Sequence, residues 1–557
     1  MKIIRYLSEN ILFLLTLFLL VFIPLYPKLP LLDIKHTWVY IRIEDFIIAV
    51  VWIIFLIQFF KNKATLKTPL TIPIIIFWII GALATIHGIL FVFPKLEGVF
   101  PSIALLHYLR RIEYISLFFL SYAAFRKKTS VTPLIVTLSL TLLAVFFYGL
   151  GQRFLGFPAF LTMNEEFAKG IPLKLSPLAR IPSTFAGHYD LAAYLILMIP
   201  LMGSMIFGYK KWLVKIFFFL TATAGLILLM MTASRVSFVV YLLSIAFMLI
   251  LQRKKFFIIP VFIFSFILLQ SFQGLSQRLA STFTQVDLVV DSRTGKPIGV
   301  ASEFGGNQIV IEDKQSTGEN LPQGSKYINI PSNLGKKLNS DIIYKKLKSD
   351  GTQEEIITRS GDVIVKKAFA YDVSFTTRFQ GEWPRAIEAF KRNILLGSGY
   401  SSISLATDNN YLRILGETGI LGLISFLGIF LIAVIYLWRL LPAITDNALR
   451  SFVLGMIAGV FGLSLNAILI DVFDASKVAF VLWMLVGATL SLVKTFENKS
   501  VNYYYELKRI FFSTPAYIVY LIIFAFFIFG PSLKNYFAGD DFTWLRWAAD
   551  CPKIERG

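Results

Sequence analysis

Four polar segments interrupt a chain otherwise dominated by long apolar runs. Arg180–Tyr194 (RIPSTFAGHYDLAAY) holds an arginine and, within the same stretch, His188. Thr232–Arg235 (TASR) separates two apolar runs. Arg378–Arg385 (RFQGEWPR) contains Trp383 and is soon followed by Gly397–Tyr400 (GSGY). Asp408–Gly419 (DNNYLRILGETG) opens with Asp408, Asn409, Asn410 and Tyr411 and leads into another apolar run. A guanidinium is planar, permanently charged and able to donate two parallel hydrogen bonds to phosphate oxygens. Arg180, Arg235 and Arg378 together therefore fit a pyrophosphate clamp, although any one of them alone could simply snorkel to lipid phosphate. A carboxylate or imidazole beside an acceptor hydroxyl can take its proton. The chemistry that unites these groups is transfer from a donor carrying its own pyrophosphate leaving group.

Metal chemistry is a poor fit. Cys551 is the only cysteine, and His36, His87, His107 and His188 are scattered without metal-ligand spacing. Neither a metal site nor a cofactor is expected. Each polar candidate also has an ordinary structural reading. Asp408 and Asn409 suit a helix N-terminus, and His188 is best read as a hydrogen-bonding residue near a helix start. Glu417 lies four residues after Arg413, the spacing of an intrahelical ion pair. Gly416, Gly419 and Gly422 favour close helix packing. Trp383 and Tyr400 suit stacking on sugar rings, but also the aromatic belt of a membrane interface.

The elements that must position these groups cross a membrane. Of 557 residues, 56% are hydrophobic and only 16% charged, against roughly 45–50% and about 25% in soluble domains. Apolar runs long enough to span occur near 9–26, 45–60, 71–93, 103–125, 131–151, 189–208, 213–231, 236–252, 256–272, 419–438, 450–470, 476–493 and 513–530. The fourth is the weakest, because His107, Arg110, Arg111 and Glu113 interrupt it. The net charge of +20 is concentrated in alternate short connections such as Arg126–Lys128 and Arg253–Lys255. This is the distribution of cytoplasmic loops in a polytopic protein, so membrane lipids are expected neighbours and nucleic acid is not an expected partner.

The expected fold class is an all-α polytopic membrane protein of about 12–13 transmembrane helices with a small, mostly β extracytoplasmic insertion. Residues 1–272 would hold helices one to nine. Residues 273–418 would form a large extracytoplasmic loop, with alternating stretches such as Gln308–Glu312 and Asp362–Lys366 reading as strands. Residues 419–495 would supply helices ten to twelve, and 496–557 an extra helix and an acidic tail. No internal repeat supports an inverted-repeat transporter. All four polar segments then fall on the outer side. That compartment normally lacks a nucleotide pool, so a polyprenyl-pyrophosphate-linked sugar is the expected donor, with arginines stabilising the charge on the departing pyrophosphate.

The segment Asp408–Leu423 (DNNYLRILGETGILGL), preceded in order by TASR, the Arg378–Trp383 stretch and Gly397–Gly399, resembles the signature of the bacterial O-antigen ligase and O-antigen polymerase superfamily. The resemblance extends over about residues 9–495. It implies twelve helices, a large extracytoplasmic loop, and metal-independent transfer of glycan from undecaprenyl pyrophosphate at the outer face of the cytoplasmic (inner) membrane. The acceptor would be another glycan, lipid A core or a protein. By this resemblance Arg235 and Arg378 hold pyrophosphate, while Asp408 occupies the place where ligases of the family usually carry a catalytic histidine. Arg180, His188, Trp383, Asn409, Asn410 and Tyr411 are the expected substrate contacts. Protein O-oligosaccharyltransferase and, further off, a polysaccharide flippase are the competing readings. The tail around Asp540 and Asp541 resembles the opening of a dolichyl-phosphate-mannose-type glycosyltransferase, as a truncated second enzyme would.

Overall fold

The computed structural model describes residues 2–497 except 33, 38–39, 129, 163–164, 177–178, 281–282, 294–296, 306–307, 314–326, 330–335, 348–352, 372–376 and 404–405. The chain divides into Met1–Phe496 and Glu497–Gly557. The expected thirteenth helix and the acidic tail lie outside the described residues.

The first unit is a polytopic helical bundle. Its helices are α1 (Lys2–Leu25), α2 (Ile43–Phe60), α3 (Thr71–His87), α4 (Pro101–Phe125), α5 (Thr132–Leu150), the short α6 (Glu165–Ala168), α7 (His188–Gly208), α8 (Trp212–Met231), α9 (Arg235–Leu251), α10 (Ile258–Gln270), α11 (Gln273–Ala280), α12 (Trp383–Arg392), α13 (Asn410–Leu440), α14 (Asn447–Asn466) and α15 (Ser476–Val493). Among the described residues, eight helical stretches are long and apolar enough to cross a membrane, and Asn10–Leu25, Arg235–Leu251 and Lys255–Gln270 are shorter apolar helices. The interrupted fourth run forms a continuous helix, with its charges in the half nearer Pro101.

Burial sorts the helices by place. α7 packs on α14 and α15 on α4, and nearly every residue of α7 and α15 is buried. Small residues allow that approach: a Cβ at Gly487 would strike the Phe118 carbonyl, and one at Gly459 would lie 2.7 Å from the Leu197 carbonyl. α2, α3 and α10 instead expose side chains such as Ile53, Ile79 and Ile263. In a bilayer such faces meet lipid rather than water.

Residues 283–371 contain the β insertion. Its strands are β1 (Phe283–Asp291), β2 (Pro297–Gly305), β3 (Gln308–Asp313), β4 (Tyr327–Asn329), β5 (Lys336–Leu347) and β6 (Gln353–Tyr371), paired in the order β1-β2-β3-β5-β6-β4. β1 also pairs antiparallel with β6, from Phe283 opposite Tyr371 to Asp291 opposite Val363. β3 and β5 run parallel, and the other neighbouring pairs are antiparallel. The two alternating stretches seen in the sequence lie in β3 and β6.

α13 begins well before the apolar run, at Asn410, and is broken at Gly419, where φ is 67°. The break leaves backbone groups that helical hydrogen bonds cannot satisfy. The 394–399 segment satisfies them: Ser398 and Gly399 N–H donate to the Gly416 and Glu417 carbonyls, both at 2.9 Å. In return, Ile420 N–H donates to the Ile394 carbonyl at 2.9 Å and Leu421 N–H to Leu395 at 3.4 Å. The approach is too close for a side chain, since a Cβ at Gly397 would lie 2.7 Å from the Glu417 carbonyl carbon. The GSGY motif is therefore part of the mechanical support of the signature helix.

Candidate active site

The first turn of α13 shows what each residue of the signature does. Asn409 is the N-cap, its Oδ1 accepting from Leu412 N–H at 3.0 Å. Asn410 N–H donates to the Ala467 carbonyl at 2.9 Å, and its Oδ1 accepts from Phe473 N–H at 2.9 Å. Tyr411 donates its hydroxyl to the Ser464 carbonyl at 2.7 Å. These bonds tie the start of α13 to the end of α14 and the α14–α15 connection. Asn409, Asn410 and Tyr411, expected as substrate contacts, thus have scaffold contacts here. Asp408 stands just outside the cap with a left-handed φ of 47°, a conformation that Asp tolerates better than most residues.

Asp471 holds that conformation. Its carboxylate accepts from three successive backbone N–H groups, those of Thr407 (2.9 Å), Asp408 (3.2 Å) and Asn409 (3.1 Å). Asp408 is left to meet Arg378, whose Nη2 lies 2.7 Å from Oδ2. The Arg378 side chain is buried, while that of Asp408 is 28% exposed. Burial raises the Asp408 pKa above the usual carboxylate range; Arg378 pulls it down and Asp471 pushes it up.

Arg378 and Glu382 share a π-helical turn, Thr377–Glu382, immediately before α12. Trp383 opens α12 and packs edge-on against Phe379, with ring centroids 4.7 Å apart. Burial and the nearby Asp408 raise Glu382 to about 7, partly offset by Arg378. Glu382 is thus a second acid of raised pKa beside the ion pair.

Other sequence candidates converge on the same end of the bundle. Arg180 Nη1 is 2.7 Å from His188 Nε2, and His188 is the first residue of α7. Their loop is clamped by Lys477, which is fully buried and donates to the carbonyls of Pro24 (3.2 Å), Tyr26 (2.5 Å) and Thr184 (2.8 Å). Ile181 N–H donates to the Met231 carbonyl at 3.1 Å, so this loop adjoins the TASR turn in which Arg235 begins α9. Two residues on from Arg235, Ser237 donates to Asn466 Oδ1 at 3.2 Å, beside the carbonyl that receives Asn410. Hydrogen bonds therefore connect three polar segments through the end of α14, and the Arg378–Asp408 ion pair joins the fourth. Tyr400 is buried, with its ring centroid 6.1 Å from that of Tyr108.

A charge network supports the first turn from behind. The expected Arg413–Glu417 pair is present at 3.6 Å, but Arg413 also meets Asp471 (3.3 Å) and Asp474 (3.2 Å). Asp474 pairs in addition with Arg111 of α4. The charges that weaken the fourth apolar run are thus neutralised within the bundle, as low-dielectric surroundings demand.

Residues 217–427 match the family model described as O-Antigen ligase. The match runs from α8 through the broken start of α13 and includes Arg235, Arg378, Trp383 and Asp408–Tyr411. It supports the resemblance to the O-antigen ligase and polymerase superfamily and a glycosyltransferase-type role in surface glycan synthesis. No curated protein matches the chain. Asp471, Asp474 and Lys477 lie outside the matched stretch and were missed as site residues. Their signal was present in Asp471–Lys477 (DVFDASK), a charged junction between two apolar runs. Among the described residues, no group of His, Cys, Asp and Glu forms a candidate metal site.

Proposed function

We propose that the protein transfers a glycan from a polyprenyl-pyrophosphate carrier, undecaprenyl pyrophosphate in bacteria, to a sugar hydroxyl at the extracytoplasmic end of the bundle. The observation that carries this reading is the Arg378–Asp408 ion pair, placed just outside the cap of the family's signature helix. Asp408 is a base whose basicity burial raises, held by Asp471 with its carboxylate partly exposed. It takes the proton of the acceptor hydroxyl as that oxygen bonds to the anomeric carbon. The bond from that carbon to the pyrophosphate oxygen breaks, and the electron pair leaves with the carrier. Arg378 keeps Asp408 ionised before transfer, and Arg235 and Arg180 supply guanidinium charge for the leaving group.

The test is Asp408→Asn. Asn409 supplies the cap, so the substitution removes the ionisable base and leaves the helix start intact. Purified protein in liposomes, given a defined lipid-linked glycan, should lose transfer by about 100-fold or more, in the range of a lost general base, while donor binding persists. Wild-type turnover in Asp408→Asn would refute the mechanism. Given lipid-linked glycan alone, the wild type extends it into a ladder if it is a polymerase and leaves it unextended if a separate acceptor is needed.

A further inference from the structure

Between the 26–42 segment, the first turns of α4 and the α13–α15 junction lies a cavity of about 440 Å³, within the size range of ligand sites, roughly 300–1,000 Å³. We infer that it binds the acceptor glycan through its hydroxyl groups, an inference that rests on the transfer reading above. Three observations support it.

The first is charge compensation. Each of the four Lys or Arg residues on the wall has a carboxylate partner: Lys28 with Asp190 (4.0 Å), Arg42 with Glu44 (3.9 Å), Arg110 with Asp45 (2.5 Å), and Arg413 with Asp471 and Asp474. A pyrophosphate site needs cations in excess. A wall of paired donors and acceptors instead suits a neutral polyol, in which every hydroxyl both gives and receives a hydrogen bond.

The second is unmet hydrogen-bonding capacity. Arg42 Nε and Ser476 Oγ belong to wall residues only 6% exposed, yet neither atom has a hydrogen-bond partner among the described residues. Buried polar atoms are costly when unpaired; both atoms are covered, and a turn of either side chain into the cavity would bring it to a sugar hydroxyl. Phe100 adds an apolar ring to the same wall, suited to the C–H face of a pyranose.

The third is position. Asp471 forms part of the wall and also binds the backbone of Asp408. A sugar held there is carried to the base by the residue that orients the base. Most of the wall comes from outside residues 217–427, so acceptor choice and transfer chemistry are assigned to different parts of the chain.

The experiment is hydroxyl-radical footprinting of the purified full chain in nanodiscs. The probes are free oligosaccharide released by mild acid from the host's own surface polysaccharide and, separately, inorganic pyrophosphate. The oligosaccharide should protect 100–114 and 471–476, and pyrophosphate should not. Ala406→Trp, an exposed wall position, should weaken oligosaccharide protection about tenfold or more while changing pyrophosphate binding by less than about twofold. Pyrophosphate protecting these segments, or oligosaccharide protecting others, overturns the inference, as does undiminished binding in a folded Ala406→Trp. If that variant does not fold, the wild-type footprint decides. Binding needs no turnover, so a wild type that binds glycan here but forms no product refutes the transfer reading alone.

Discussion

Replacing Asp471 by alanine tests whether Asp408 is held in place by its backbone. The substitution strips the acceptor from three N–H groups, those of Thr407, Asp408 and Asn409. An unsatisfied buried donor costs about 1–3 kcal/mol. Asp408 is 28% exposed, so water reaches part of this segment and the low end applies. The sum is about 3 kcal/mol, which at about 1.4 kcal/mol per factor of ten is roughly a 100-fold loss of the competent arrangement. The left-handed Asp408 then has little to keep it from relaxing. Arg413 retains Asp474 and Glu417, so the helix junction survives and elution on size exclusion should not change. In a transfer assay with defined lipid-linked donor, kcat should fall about 100-fold, KM for the donor should change less than about threefold, and the acidic limb of the pH profile should move to lower pH, because Asp471 no longer raises Asp408. Asp471→Asn keeps one acceptor oxygen and should lie between wild type and alanine. An alanine variant with kcat within about threefold of wild type would refute the positioning role.

Lys477→Met removes a buried ammonium from three carbonyls; with its desolvation cost relieved, about 2–4 kcal/mol of stability should be lost, read as a lower thermal midpoint in detergent. An unchanged midpoint would contradict the clamp. Gly419→Ala places a Cβ against the Leu395 carbonyl at a φ of 67°, so at least about 1–2 kcal/mol of strain should appear as faster proteolysis near 394–420; wild-type resistance would count against the break. Glu382, raised from 4.5 to about 7, binds its proton more tightly folded than unfolded. Its contribution to stability is therefore full below its unfolded value and lost as pH rises through about 7. Glu382→Gln should flatten the thermal midpoint between pH 5 and 8, an interval of roughly this shift, and a slope as steep as wild type would disprove the coupling.

The helices were legible because each spanning run has to satisfy its own backbone within the membrane, and that leaves a long apolar signature. The order of the four polar segments was legible for a related reason: charges survive only where a partner or a membrane surface receives them. Partner choice was not. Nothing in two segments thirty positions apart states that Arg378 touches Asp408. The apolar run begins near 419, yet the helix that carries it starts at Asn410. Its first turns hold Arg413, which pairs with Glu417 in the same helix and with Asp471 and Asp474 from a connection far along the chain. Asp471 stands out as part of a charged junction between two apolar runs, but its role does not, because it binds backbone and backbone N–H groups leave no mark in a sequence.

The pairing of β1 with β6 sets the first and last strands of the insertion side by side, Phe283 opposite Tyr371. The chain therefore leaves the helical scaffold and returns to it through neighbouring points, and the strands between them do not set the distance that the scaffold must bridge. Such an attachment is tolerant of cargo. The excursion can lengthen, shorten or exchange its outer strands without altering the spacing at its root, so those strands can change while the helical scaffold stays as it is.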